Sequence, residues 1–417
     1  MSRLLVRSGG PLSGEVTISG AKNSALKLMA ACVLAEGRYV LRDVPEIVDV
    51  DIMGRLLEAM GMSVRRREDL ALEIVRGPDV VAEAPYELVE QMRASTAVLG
   101  PLLAATGSAR VALPGGDDFG SRPIDMHLAS LEALGATFEL SHGMIEGRAD
   151  RLVGAEVVLE YPSVGATENL LMAGVLAHGT TTVRNAAREP EIADLAAFLN
   201  RMGGRVLGAG SPTIVIEGVD ELRAVEHTVV PDRVEAVTFL AAAAAARGEV
   251  TLRGARADHL DLVVEKLGRM GMRISPEADG IWAMASARPQ PTDVATLPYP
   301  GIATDYLPLL VAVMALADGT SYATKNVFAG RFRYVGELAR MGGHIRVEGH
   351  HLVVDGVARL SGAPVRAVDI RAGAALVVAA LAADGETTIH DAGHIDRGYE
   401  HVVDKLRGLG ADITRLD

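Results

Sequence analysis

Six stretches of this chain are apolar on nearly every position, and what separates them alternates between apolar and polar residues. The six are "KNSALKLMAACVLAEG", "RASTAVLGPLLAATG", "GATENLLMAGVLAHG", "RVEAVTFLAAAAAARG", "DYLPLLVAVMALADG" and "RAGAALVVAALAADG". Their length and composition predict helices, and a helix apolar all round has to be buried on every side. Each runs to a glycine (Gly37, Gly107, Gly179, Gly248, Gly319, Gly385) followed by alternation such as "TTTVRN" or "EVTLRG". This reads as helix, stop, strand.

A second pattern keeps register with the first. Leu, then Leu or Met, then Gly, then a strand-like residue recurs in "LEAMGMSV", "LEALGATF", "LNRMGGRV", "LGRMGMRI", "LARMGGHI" and "LRGLGADI", with Gly61, Gly135, Gly203, Gly271, Gly342 and Gly410 spaced by 74, 68, 68, 71 and 68 residues. Each repeat therefore holds a buried helix, a strand, an amphipathic helix ended by glycine, and further strands. The class is α/β, in two domains of three repeats, helices inside and sheets outside. Because the first helix begins near residue 22, the preceding segment supplies a strand that completes the last repeat. The expected domains are 22–230, with a lid loop at 113–123, and 1–21 plus 231–417, holding both termini.

Composition narrows the partners. At 417 residues with 49% hydrophobic but only 4% aromatic residues, the interior has to be packed with small aliphatic side chains. A net charge of -13 argues against nucleic acid or an anionic membrane as partner. No run reaches the length of a bilayer span and the N-terminus lacks a signal-peptide core, so a cytoplasmic protein is expected. The single Cys32 cannot form an internal disulfide, and its apolar surroundings point to packing.

Counting back 14 or 15 residues from the first glycine series reaches Lys22, Arg93, Gly165, Arg233, Asp305 and Arg371. Helix N-termini favour anions, and four cations placed in register there predict an anion-binding surface on an acidic protein. One such cation alone would be read as a solvated residue. Asp305 becomes a carboxylate among cations, available as a base or hydroxyl acceptor. Arg122, Arg331 and Arg397 precede the second-series glycines by 13, 11 and 13 residues, and their guanidinium forks suit phosphate and carboxylate. Arg122 lies in "PGGDDFGSRPID", whose Gly115, Gly116 and Gly120 would let it move as a lid.

Other signals are weaker. His390 and His394 beside Asp396 have H-x3-H spacing but no helix to present it, and no metal or cofactor is expected. His350 and His351 would face opposite sides of a strand. There is no Walker A motif, and "GAGSPT" lacks the G-x-G-x-x-G pattern.

Taken together, "SGAKNSAL", "MRAS", "PGG" with "RPID", "SVGAT", "NAAREPEI", "PDR", "TD" at 304, "GRF", "DIRA" and "HIDRGYE" resemble the UDP-N-acetylglucosamine enolpyruvyl (carboxyvinyl) transferases over essentially the whole chain. The resemblance implies two inside-out α/β domains with the site in the cleft between them. It also implies the reaction: phosphoenolpyruvate is protonated at its methylene carbon, the sugar 3'-hydroxyl attacks, and phosphate leaves, committing the sugar nucleotide to peptidoglycan. By the same resemblance Lys22, Arg122 and Arg397 are the phosphoenolpyruvate cations, with Asn23 beside them. Arg93, Arg122, Pro123, Ile124, Asp125, Met126, Ser163, Val164, Gly165, Asp305 and Val327 match positions that hold the UDP-sugar, and Arg233 is added from its helix start. Asp305 is implied as the base for the hydroxyl, with Asp369, Arg331 and Arg371 as supporting groups and Asp117 as the proton donor. The partners implied are the two small substrates, with no metal, and a monomer is expected.

Three departures from the family stand out. Asp117 occupies the loop position usually held by cysteine; a carboxylic acid can deliver a proton if closure raises its pKa, but it is not a soft nucleophile. Tyr161-Pro162 replaces a lysine before "SVGAT", and "GIATDYLP" differs from the usual Phe-Pro-Thr-Asp. Two other readings stay open: a related transferase acting on another nucleotide, and a catalytically silent sugar-nucleotide sensor. A pure binder has no need of Asp305 and Asp369 among Lys22 and Arg397.

Overall fold

The computed structural model describes residues 2–113, 124–327 and 332–416. It divides into two compact units, residues 1–19 with 231–417, and residues 20–230.

In the first unit the apolar stretches form helices Arg233–Ala246, Leu307–Met314 and Ile370–Leu381, which pack on one another. Every residue of the latter two is buried, and of the first only Ala246 is not. Alanine-rich surfaces let the three approach closely, and the larger Phe239, Leu240, Leu310 and Leu376 fill the space between. Truncating one such buried leucine to alanine costs roughly 2–5 kcal/mol. The second unit is built likewise on helices Lys22–Ala31, Leu99–Thr106 and Val164–Gly174. Its middle helix is preceded by a 3-10 turn at Arg93–Val98, so that stretch winds up in two stages.

Among the described residues each unit carries three four-stranded sheets, every one with a parallel pair at one edge and antiparallel pairs beyond it. Strands alternate, as in Thr180–Arg184, where Thr181 and Val183 turn inward and Thr180 and Arg184 outward. One face covers the helices and the other is exposed. The N-terminal strand Arg3–Arg7 inserts antiparallel between Glu386–His390 and Asp412–Leu416, with Leu4 opposite Ile389 and Val6 opposite Ile413. A second early strand, Ser13–Thr17, pairs parallel with Glu249–Arg253 in another sheet of the same unit.

The recurrent Leu-x-x-x-Gly pattern has one physical cause. Helix Val48–Ala59 ends with Gly61 N–H donating to Glu58 O (2.9 Å) and Met62 N–H to Leu57 O (3.0 Å), which requires Gly61 at φ 91°. The same pair of bonds closes the helices before Gly135, Gly203, Gly271, Gly342 and Gly410, all at positive φ. The other series behaves differently from expectation. Only Gly107 is itself a helix cap; Gly37, Gly179, Gly319 and Gly385 lie beyond the helix end, turning the chain into the next strand, and before Gly248 the left-handed position is taken by Arg247.

The paired histidines correct another expectation. His350 lies in the turn before strand His351–Asp355, so the strand rule does not apply, and the two rings lie against each other tilted by 39°, with centroids 3.9 Å apart. Among the described residues no three His, Cys, Asp or Glu side chains form a metal-holding group, and no helix is long and apolar enough to cross a membrane.

Candidate functional site

The three core helices of the first unit begin side by side. Arg233, the first residue of Arg233–Ala246, donates from Nη1 to the Tyr306 hydroxyl (2.7 Å), and Tyr306 immediately precedes Leu307–Met314. Its guanidinium also lies 5.4 and 5.6 Å from the ring centres of Tyr299 and Tyr306. From the other side Arg371, second residue of Ile370–Leu381, donates Nε–H to Asp305 Oδ2 (2.9 Å). Thus an arginine from each flanking helix reaches the start of the middle one.

Carboxylates cap the flanking helices. Asp232 accepts from the backbone N–H of Val234 (2.7 Å) and Glu235 (3.1 Å), and Asp369 from those of Arg371 and Ala372 (both 2.8 Å). Asp369, expected among the catalytic carboxylates, therefore also serves as the N-cap of a core helix. Burial opposes the charge on Arg371, but Tyr399, Asp305 and Asp232 more than offset it, leaving its pKa above the ordinary guanidinium value. Asp305 itself keeps 28% of its side chain exposed, so an ion-paired carboxylate still has an open side. The Val327 carbonyl accepts from Thr304 Oγ1 (3.3 Å), which brings Val327 beside Asp305.

Arg397 follows the short helix Gly393–Asp396 and is half-buried. Two residues on, Tyr399 shares a hydrogen bond with Thr238 (2.8 Å) and its ring centre lies 5.4 Å from the Arg371 guanidinium. Glu400 accepts from the Ser19 hydroxyl, and Lys405 Nζ sits 2.6 Å from both Ser19 Oγ and Glu235 Oε1. Burial pushes the Glu235 carboxyl up to about 7 even with Lys405 opposing it.

The second unit gathers a different set. Lys22 opens helix Lys22–Ala31, and its Nζ lies 2.5 Å from Asp49 of helix Val48–Ala59, both groups being buried. Lys27 lies 2.8 Å from Glu168, whose carboxyl is raised by burial against the pull of that lysine. Asn169 ties the helices level: its Oδ1 accepts from Gly100 N–H (2.7 Å), while its Nδ2 reaches the carbonyls of Thr96 and Gly165 (both 3.3 Å) and His127 Nδ1 (3.0 Å). With Nδ1 accepting, the ring proton of His127 belongs on Nε2. Burial, then Lys27 and Arg93, depress this imidazole to about 4, so it is neutral at pH 7.

Here the helix ends carry no carboxylate. Ala21, Met92 and Val98 provide no side-chain cap, and Ser163 offers a neutral one, accepting from Ala166 N–H at 3.3 Å. A Cβ on Gly165 would come within 2.5 Å of the His127 ring, so the glycine of "SVGAT" is what lets the imidazole close over this helix start. Arg93 is half-buried at the first 3-10 residue, and Asn23 is half-buried behind Lys22. Ile124 is the N-cap of helix Asp125–Ala133, Asp125 is exposed at its first position, and Met126 packs on the unit's core. Val164 is the first residue of Val164–Gly174.

The four cations expected at helix starts sit in unlike surroundings. In the first unit Asp232 and Asp369 cap the two flanking helices, while Arg233 and Arg371 turn to Tyr306 and Asp305 and the middle helix has no side-chain cap; in the second unit, among the described residues, no carboxylate caps a core helix. Asp117, Arg122, Pro123 and Arg331, with most of the 113–123 loop, lie outside the described residues. The sequence reading missed Asp49, Lys27, Glu168, His127, Asn169, Tyr306 and Lys405. Asp232 and Glu235 did carry a signal, the Asp-x-x-Glu spacing of "DRVE" before an apolar run.

Comparison with known proteins fits this architecture. The sequence model of EPSP synthase (3-phosphoshikimate 1-carboxyvinyltransferase) matches residues 6–406. A UDP-N-acetylglucosamine 1-carboxyvinyltransferase of Mycolicibacterium paratuberculosis is 50% identical over 100% of this chain and 99% of its own length. The chain belongs to the carboxyvinyl (enolpyruvyl) transferase family. Another relative of the same description, from Anaeromyxobacter sp., is also 50% identical over 100% of the chain and 99% of its own. Among solved structures, the enolpyruvyl transferase NikO from Streptomyces tendae superposes with a TM-score of 0.90 at 29% identity, covering 99% of this chain and 98% of that one. EPSP synthase from Acinetobacter baumannii gives 0.76 at 20% identity, with 100% of each chain covered, and shares the fold. Buried helices with sheets outside are thus the enolpyruvyl transferase fold.

Proposed function

We propose that this enolpyruvyl transferase moves the enolpyruvyl group of phosphoenolpyruvate to the 3'-hydroxyl of UDP-N-acetylglucosamine and releases phosphate, the first committed step of peptidoglycan synthesis. The observation that carries the proposal is 50% identity, along the full length, to proteins described by that activity. Cell-wall biogenesis, and through it cell shape, the cell cycle and division, would depend on it, in the cytoplasm and as a monomer.

In this reading Lys22, Arg122 and Arg397, with Asn23, hold phosphoenolpyruvate, and fixed cations stabilise the charge that develops as phosphate departs. Arg93, the residues from Arg122 to Met126, Ser163, Val164, Gly165 and Val327 hold the sugar nucleotide; uncapped helix ends suit its diphosphate. Asp117 gives a proton to the methylene carbon while Asp305 takes the hydroxyl proton, and the sugar oxygen bonds to the central carbon. The carbon–oxygen bond to phosphate then breaks and a methyl proton returns to the enzyme, restoring the double bond. Arg331 and Arg371 support the reacting centre, Arg371 through Asp305, while Asp369 secures the helix that carries Arg371. Arg233 acts through Tyr306.

The test is phosphate release from phosphoenolpyruvate with UDP-N-acetylglucosamine, compared with UMP and with shikimate phosphate. Turnover with the sugar nucleotide is expected. Turnover with UMP alone would support a second reading, a transferase for another nucleotide, which is favoured by Tyr161 where the family resemblance leads to lysine. Binding without turnover would make the protein a sensor. With Asp117 in the loop, fosfomycin should leave activity unchanged over time; progressive inactivation with a mass adduct on Asp117 would refute this.

A further inference from the structure

One carboxylate in the second unit, with only 10% of its side chain exposed, serves no step above, yet three segments converge on it. Asp194, on helix Pro190–Arg201, accepts from the Ser24 hydroxyl (2.5 Å) and Val230 N–H (3.2 Å) through Oδ2, and lies 2.8 Å from His227 Nε2 through Oδ1. The His227 ring is set edge-on to Phe198, with centroids 5.4 Å apart, and its other nitrogen is buried without a hydrogen-bond partner among the described residues. Among the described residues, then, Asp194 alone fixes that ring through a polar contact.

Serine, aspartate and histidine together invite a hydrolase reading, but the order is wrong. In a nucleophilic triad histidine stands between serine and aspartate and takes the serine proton. Here the carboxylate stands in the middle, so His227 cannot activate Ser24. What the arrangement does is mechanical. Ser24 belongs to the first turn of Lys22–Ala31, and Val230, the segment's other contact, accepts from the N–H of Ala21, the residue just before Lys22 (2.7 Å). One carboxylate therefore grips the helix start both through its own serine and through the segment to which its preceding residue is bonded. Asp49 holds the Lys22 ammonium from another helix.

We infer that Asp194 is a positioning residue for Lys22 and Asn23, fixing the first turn of the helix that presents them to phosphoenolpyruvate. This rests on the proposed reading of those two residues as its ligands. Asp49 pairs with the Lys22 ammonium but not with its backbone, so loosening the first turn shifts the point from which the side chain reaches a bound phosphate, and misplacement by about 1 Å is costly.

Asp194→Asn, Ser24→Ala and the double variant, made in the full chain, test this. Each single change should raise KM for phosphoenolpyruvate by about tenfold while kcat and KM for the nucleotide stay within about twofold. The double variant should be no worse than the worse single, because Asp194→Asn weakens and Ser24→Ala removes the same contact. A fall in melting temperature with all kinetic constants unchanged, or additive losses, would overturn the inference. Should Asp194→Asn fail to fold, Ser24→Ala alone decides, since it leaves Asp194 bound to His227 and Val230. Should the wild type show no turnover, it is the proposed function that fails; labelling of Lys22 by an amine reagent, followed by peptide mass, then decides. Several-fold faster labelling in Ser24→Ala supports the inference, and an unchanged rate overturns it.

Discussion

The two units repeat one architecture but differ at their helix starts, two of which carry carboxylate caps in the first unit and, among the described residues, none in the second. In the first, Asp232 and Asp369 take up the backbone N–H groups of their helices, and the arginines nearby are turned to Tyr306 and Asp305. In the second, Lys22 and Lys27 are paired with Asp49 and Glu168, but the helix ends themselves have a neutral serine or nothing as cap. A helix end has about half a positive charge to give, and a carboxylate cap uses it up. One repeat can thus be tuned toward an oriented acid–base group or toward anion binding by the residue placed just before the helix.

The largest effects should separate the two roles. Asp305→Asn should lower kcat by roughly 10²–10⁴ with phosphoenolpyruvate binding little changed. Lys22→Met should weaken phosphoenolpyruvate binding and cost about 10²–10³ in kcat/KM. Steady-state kinetics and a binding titration read both, and the reverse assignment of binding and turnover would break the comparison.

Next comes pH. Glu235, raised from 4.5 to about 7, keeps its proton in the native state where the unfolded chain has lost it. Its contribution is full below the unfolded value and is lost as pH rises through about 7. Relative to Glu235→Gln, the wild type should therefore lose stability between pH 4.5 and 7. His127, lowered from 6.5 to about 4, acts in the opposite sense. Relative to His127→Asn, the wild type should lose stability as pH falls from 6.5 toward 4. Each effect amounts to roughly 3 kcal/mol at its extreme. Denaturant unfolding at several pH values checks both, and slopes of the same sign would contradict the assignment.

Smallest are the caps. Asp369→Ala, losing two bonds of 2.8 Å, should cost about 1–2 kcal/mol, and Ser163→Ala, losing one of 3.3 Å, about 0.5–1 kcal/mol. Equal losses in denaturant melts would show that the two units do not differ in capping.

Much of this was legible because it is local. Lys22, Arg93 and Arg233 open their helical segments as the apolar runs predicted, Gly165 and Arg371 stand second, and Asp305 stands two residues before its helix. The Leu-x-x-x-Gly motif marked six helix ends because only a left-handed residue closes them so cheaply. The glycines after the buried helices are less legible: glycine alone does not say whether a helix is ending or a strand is about to begin. Asp49, Lys405 and Asp194 left no local trace, since each acts on a residue distant in sequence.

By itself, then, the sequence determined the repeat, the buried helices, their starting points and the family, since hydrophobic periodicity and glycine backbone preference act over a few residues. Which charge faces which was decided only by tertiary structure. The direction of Arg371 toward Asp305, the neutrality of His127 and the grip of Asp194 on Ser24 all depend on burial and on partners that the fold brings together across tens to hundreds of residues.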